Sequence, residues 1–207
     1  MATLASPSVG TSVRAASAAL LDSTARSVSL ERMGSQALIF YRPDDRECAR
    51  RMSTSAGRLD NIGVLQTLLE LPVGLPVERT TLPQRLQAGI RRLPVGAADL
   101  DRSQVVRRAV RPLAVDLAVV RAATAGWRDG LRRASRFAPF CRRALFLDAF
   151  PAAREDLLME AAFYGVGVLV RTGTEGTVMA LEPRLYRPQR HTPAAWCFTE
   201  EIHQQLA

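Results

Sequence analysis

Ala144-Leu-Phe-Leu-Asp148 is a short apolar run that ends in an acid. Pro151 follows, and from Ala152 to Tyr164 the residues Leu157, Leu158 and Ala161 repeat at helical spacing until Gly165 ends the pattern. A second apolar run, Val166-Gly-Val-Leu-Val170, comes next. Runs without polar alternation are how strands buried on both faces read. Strand, helix and strand make a βαβ unit, normally with parallel strands. Thr172-Gly-Thr-Glu-Gly176 is a turn into Thr177-Val-Met-Ala-Leu181, expected to run antiparallel to the strand before it. Thr192-Pro193 then supplies a cap and a first-turn proline for a helix to the C-terminus, with Glu200 and Glu201 outward. Residues 144–207 are therefore predicted as a β-α-β-β-α unit. Phe146, Leu158, Val168 and Leu169 should be buried in it. Its helix covers one sheet face, and the other needs Trp196, Phe198 and Ile202, or an apolar stripe from upstream.

Upstream, the pattern reads as mixed and helix-rich. Gln36-Ala-Leu-Ile-Phe-Tyr41 is β-prone and closes in the turn Arg42-Pro43-Asp44-Asp45, where an aspartate can cap a helix to about Thr54. Ile62, Leu65, Leu68 and Leu69 mark a helix ended by Pro72, and Leu82, Leu86 and Ile90 mark another before Pro94. This pair, with Arg85, Arg91 and Arg92, resembles a helix-turn-helix reader in outline. Its connection, Pro72 to Val77, is longer than the 3–4-residue turn of that motif. Val106, Val110, Leu113, Leu117 and Val120 advance by fours and threes, which predicts an amphipathic helix interrupted at Pro112. The expected divisions are an Ala/Ser-rich tail or weak helix at 1–33, a mixed strand and helix segment at 34–100, a basic helical segment at 101–143, and the unit at 144–207. Residues 34–207 would also fit a single domain.

Charge is concentrated in the third segment. All 28 basic residues are arginine, and the formal net charge is +8. From Arg102 to Arg143, eleven arginines face only Asp116 and Asp129, a local +9; the other 17 arginines meet 18 acids, or −1. Such localisation is the electrostatic footprint of a nucleic-acid-binding face. Arg128, Arg132 and Arg136 recur at steps of four, so a helix stacks them, with Arg133 widening the stripe. Arg107, Arg108 and Arg111 form an upstream group, and Arg142 and Arg143 close the segment. These nine arginines are the expected phosphate contacts. A solvated face paired with acids from elsewhere is the plainer reading of the same run.

The absence of lysine excludes a Walker-A loop and Schiff-base chemistry. GC-rich codon usage explains it without selection, and suggests a bacterial source. Hydrophobic content of 47% and charged content of 23% are globular values. No apolar run approaches the ~20 residues needed to span a bilayer, and no secretory signal is visible. Cys48, Cys141 and Cys197 show no pairing pattern, so reduced thiols in the cytoplasm are expected.

Catalytic candidates are few. Asp148 sits at the carboxyl end of a predicted strand, the usual edge for sites in open α/β sheets. Glu155 and Glu160 lie on the following helix and could join it around a divalent cation, although Glu155 and Asp156 also suit the helix dipole. Residues 143–182 resemble the crossover half of restriction-endonuclease-like nucleases. That family's Asp…Glu-x-Lys signature is absent, since Ala149-Phe150 follow Asp148 and no lysine exists. The resemblance thus implies a lost or altered centre. Cys197 and His203, six apart, fall about 240° around a helix, so with His191 they form no ligand set. No metal or cofactor is expected.

The expectation is a cytoplasmic bacterial protein that binds nucleic acid, DNA before RNA, without catalysis, as in regulation of a nearby gene. Its C-terminal unit would be scaffold or dimer surface. A metal-dependent nuclease around Asp148 is the enzyme alternative, and an adaptor docking acidic partners is the third.

Overall fold

The computed structural model describes residues 7–173, 176–188 and 190–206. Along the chain run α1 (Pro7–Ala16), β1 (Arg26–Arg32), β2 (Ser35–Pro43), α2 (Asp45–Thr54), α3 (Ile62–Glu70), β3 (Pro76–Glu78), α4 (Gln84–Ile90), β4 (Ala98–Leu100) and β5 (Gln104–Arg107). They are followed by β6 (Leu113–Arg121), α5 (Trp127–Ser135), β7 (Arg142–Leu147), α6 (Arg154–Tyr164), β8 (Gly167–Thr172), β9 (Gly176–Leu181) and α7 (Pro193–Gln204). The protein is mixed α/β, as its sequence indicates. These elements form two compact units, one from Met1–Arg42 with Val115–Arg187, the other from Pro43–Ala114 with Pro188–Ala207.

The first unit is built on a six-stranded sheet of order β1-β2-β6-β7-β8-β9. β6, β7 and β8 are parallel neighbours joined through α5 and α6, and β9 runs antiparallel to β8. The C-terminal pattern from β7 to α7 is the one predicted. At the other edge β1 and β2 form an antiparallel hairpin around Met33 and Gly34, both with positive φ, which is the backbone a two-residue primed turn needs.

Burial explains why the strands read as apolar runs. Leu38, Phe40, Leu117, Val119, Ala144, Phe146 and Leu169 form one cluster with Val9 and Val13 of α1. α1 therefore covers the face for which the sequence proposes α7 or an upstream stripe. The alternate residues Ala118, Val120, Leu145, Val168 and Val170 are buried too. They turn to the opposite face, where α5 and α6 lie. Gly130 of α5 sits so close to that face that a Cβ would stand 2.6 Å from Leu145 Cδ1. Of the four expected core residues, Phe146, Val168 and Leu169 are fully buried. Leu158 is half-buried, and its neighbour Leu157 takes the inner position.

In the second unit β3, β5 and β4 make a small antiparallel sheet in that order. α3 and α7 pack through Leu59, Leu65, Leu68 and Trp196, and α4 packs on β5 through Leu86, Ile90 and Val105. Asp44, Asn61 and Thr192 cap α2, α3 and α7, their side chains accepting from the N–H groups of Glu47, Val64 and Ala195. The first and last of these caps match the sequence reading.

Two expectations are corrected. Residues 101–143 are not a helical segment, because Val106 lies in β5 and Leu113, Leu117 and Val120 in β6, and helix is confined to α5 and a 3₁₀ turn at Thr124–Gly126 before it. β-branched valines in paired strands outweigh a helical count of apolar positions. The 1–33 tail is also more ordered than expected, with α1 from Pro7 and strand β1 after it. The first six residues fall outside the described ones.

Candidate nucleic-acid interface

The two units divide the nine nominated arginines. Arg107, Arg108 and Arg111 belong to the second unit, and the other six to the first. The basic run of the sequence is thus shared between the two units.

Arg107 does not face solvent. Its position in β5 turns it inward, where it donates to Leu68 O at 2.8 Å, Leu71 O at 3.1 Å and Ala109 O at 2.9 Å. The guanidinium also lies 5.0 Å from the centre of the Trp196 ring. Leu68 and Leu71 end α3, so this cation satisfies carbonyls that a helix C-terminus leaves without partners. Burial, then the neighbouring Arg111, lowers its pKa. Arg108 pairs with Asp99 at 2.6 Å, and Arg111 donates to His191 Nδ1 at 2.9 Å. That cation holds His191 below the usual histidine value.

On α5 the predicted stripe exists. Trp127, Gly130, Leu131 and Ala134 are buried, while Arg128, Arg132 and Arg136 are exposed along the opposite side. Arg128 lies 4.2 Å from the Trp127 ring centre and pairs with Glu160 of α6 at 2.8 Å. Asp129 serves both Arg132, at 3.3 Å, and Arg133, at 2.9 Å. Arg136 donates to Met33 O at 2.6 Å. Arg142 and Arg143 stand at the start of β7, away from its carboxyl end, and donate to the carbonyls of Leu20 and Tyr164.

The carboxylates are not brought together. Asp148 lies past β7 between two guanidinium groups, Arg121 at 2.5 Å and Arg171 at 3.1 Å. The first contact is a hydrogen bond; the second is an ion pair whose angle leaves Arg171 Nη2 without one. Both cations flank Phe146, at 6.0 and 5.8 Å from its ring centre. Glu155 is exposed on α6, and Glu160 is engaged by Arg128. Among the described residues, no three His, Cys, Asp or Glu side chains gather in a metal-holding group.

One arrangement was not legible in the sequence. Cys48 Sγ of α2 lies 3.6 Å from His203 Nε2 of α7, on a cavity of about 470 Å³ that Arg51 and Met52 also line. Burial raises the Cys48 pKa, which keeps the thiol protonated and a weak nucleophile. The pair is 155 residues apart in sequence, and no local pattern announces it. All three cysteines are free thiols. No helix among the described residues is long and apolar enough to cross a membrane. None of the protein families, curated sequences or solved structures compared with this chain matches it.

Proposed function

We propose that this protein binds nucleic acid through its phosphates and does not cleave it, with regulation of a gene in a bacterial cytoplasm as the setting. The observation that carries the reading is the outer face of α5, where Arg128, Arg132 and Arg136 stand in an exposed row. The Arg132 and Asp129 side chains are 78% and 56% exposed. Ion pairs this open are worth about 0–1 kcal/mol, so a phosphate can replace the acid at little cost. A guanidinium then gains a forked partner of higher charge.

Cleavage is the weaker reading for a geometric reason. A hard cation needs carboxylate oxygens that are free and convergent. Asp148 is already neutralised by Arg121 and Arg171.

Replacing Arg128, Arg132, Arg133 and Arg136 together by glutamine tests the assignment. Affinity should fall alike on unrelated sequences, and the salt dependence should flatten by about one unit of slope per lost contact. A quadruple variant with an unchanged slope rules out α5 as the phosphate surface. An acidic polypeptide that binds α5 when nucleic acid does not would favour the adaptor reading instead.

A further inference from the structure

The second unit holds a face that the α5 reading leaves unused. Its elements run α3, β3, a 3₁₀ turn at Arg79–Thr81, α4, β4 and β5. β5 returns between β3 and β4 and pairs antiparallel with both. The connection from α3 to α4 contains a strand, which excludes those two helices as a compact helix-turn-helix pair. The tight link is instead from the 3₁₀ turn, across Leu82 and Pro83, into α4.

α4 is amphipathic in a way that separates core from ligand face. Leu86 and Ile90 are buried, while Gln84, Arg85 and Ala88 are exposed at the three- and four-residue steps of one side, and Arg91 and Arg92 are exposed just past its end. Arg85 is held by a forked pair of hydrogen bonds to Glu70, at 2.7 and 2.8 Å. At the hairpin tip Asp101 Oδ1 accepts from the N–H groups of Ser103 and Gln104, both at 2.7 Å, and leaves Arg102 exposed. Arg79 joins the two features. Its N–H donates to Ser103 O at 2.7 Å and its guanidinium to Asp101 O at 2.8 Å. From Arg79 to Arg108, with the buried Arg107 set aside, six arginines meet two acids, Asp99 and Asp101, a local charge of +4. Among the described residues, Arg91, Arg92 and Arg102 have no acidic partner.

We infer that α4 and the β4–β5 tip form a reading head for duplex DNA. α4 lies in the major groove with Gln84, Arg85 and Ala88 toward base edges, and Arg91, Arg92 and Arg102 take the flanking phosphates. Gln and Arg are the side chains that pair bidentately with adenine and guanine, and a central alanine lets the helix backbone approach. B-form DNA has a major groove about 12 Å wide that admits a helix. The corresponding groove of duplex RNA is too narrow, so the head favours DNA. The inference deepens the nucleic-acid reading above and rests on it. α5 would supply sequence-independent phosphate contacts, and α4 the discrimination.

The test selects the tightest duplexes from a randomised DNA pool with the full chain, then measures binding to the selected and a scrambled duplex over a range of salt. Gln84→Ala with Arg85→Gln should cut the ratio of selected to scrambled affinity at least about fivefold. Arg91→Gln with Arg92→Gln and Arg102→Gln should lower the slope by about three. All five side chains are exposed, and circular dichroism checks that the variants fold. A pool that yields no preferred sequence, or a double variant that keeps the full ratio, overturns the inference while the α5 reading stands. Equal binding of the same sequence as duplex RNA overturns it too. If the wild-type chain binds no nucleic acid at all, both readings fall.

Discussion

Arg51 and Arg107 are both buried cations, yet the protein stabilises them differently. Arg51 is enclosed by acids: it meets Glu47 at 2.8 Å and Glu200 at 2.6 Å, and Glu200 also accepts from Trp196 Nε1 at 2.9 Å. Removing one member of such a cluster leaves charges uncompensated, so Arg51→Met should cost about 3–5 kcal/mol in chemical denaturation. An effect below 1 kcal/mol would show that the two carboxylates find water or become protonated at little cost. The cluster also sets a pH dependence. Burial pushes the Glu47 carboxyl up, but hydrogen bonds from Arg50 and Arg51 outweigh it and hold the group below its ordinary 4.5. A carboxyl lowered by folding contributes stability that is present above its unfolded value and lost as pH falls through the folded one. Thermal midpoints of the second unit should therefore drop below about pH 4.5, and Glu47→Gln should remove that part of the drop. Arg107 has carbonyls and a Trp face in place of acids. In sequence it resembles every other arginine of its run, because its inward direction is set by strand alternation in β5 and not by charge. Which arginines are surface was thus the least legible feature of the candidate site.

The packing of α3 on α4 depends on a missing side chain. A Cβ on Gly89 of α4 would overlap the Thr67 hydroxyl of α3 and come within 3.1 Å of its methyl carbon. Alanine is the better helix former by up to about 1 kcal/mol, but the overlap is with a half-rigid, β-branched neighbour. Gly89→Ala should destabilise the second unit by about 1–3 kcal/mol, and adding Thr67→Ala should restore most of that loss. Additive effects in the double variant would mean that the helices do not touch there. Elements with strong local signals were legible: β7, α6, β8, β9 and the capped α2 and α7 are near their predicted places. The failure at β5 and β6 has a physical cause. β6 from Leu117 to Val120 is buried on both faces and continuously apolar, and β5 adds only one valine to the count, so a helical spacing through Val106, Val110, Leu113, Leu117 and Val120 arises by accident. The valine content of 105–120 was the signal that favoured strands.

At the scale of the whole molecule, the chain leaves the first unit at Arg42, returns at Val115 and leaves again at Arg187. The turn at the first crossing, Arg42-Pro43-Asp44-Asp45, looks like any other turn, since sheet neighbours β2 and β6 are separated by the whole of residues 44–112. The sequence therefore reads as consecutive segments where the fold interleaves two units. Each unit carries excess positive charge: 15 arginines against 10 acids in the first, 13 against 10 in the second. The division also changes what a truncation should do. Removing residues after Pro188 deletes α7, with Trp196 and Ile202 buried in the second unit, and takes Glu200 from Arg51. The sheet of the first unit keeps α1, α5 and α6 as its cover. Hydrogen exchange on the truncated chain should show protection lost in α3, α4 and β5 but kept in β6, β7 and β8. Loss in both sets would mean that the units are one cooperative structure. The central claim, that these basic units bind nucleic acid, is tested most directly by titrating the full chain against labelled duplex DNA between about 50 and 200 mM salt. Log affinity should fall linearly with log salt, by roughly 0.9 per phosphate contacted. No binding at the lowest salt, or an affinity that salt does not change, would contradict it.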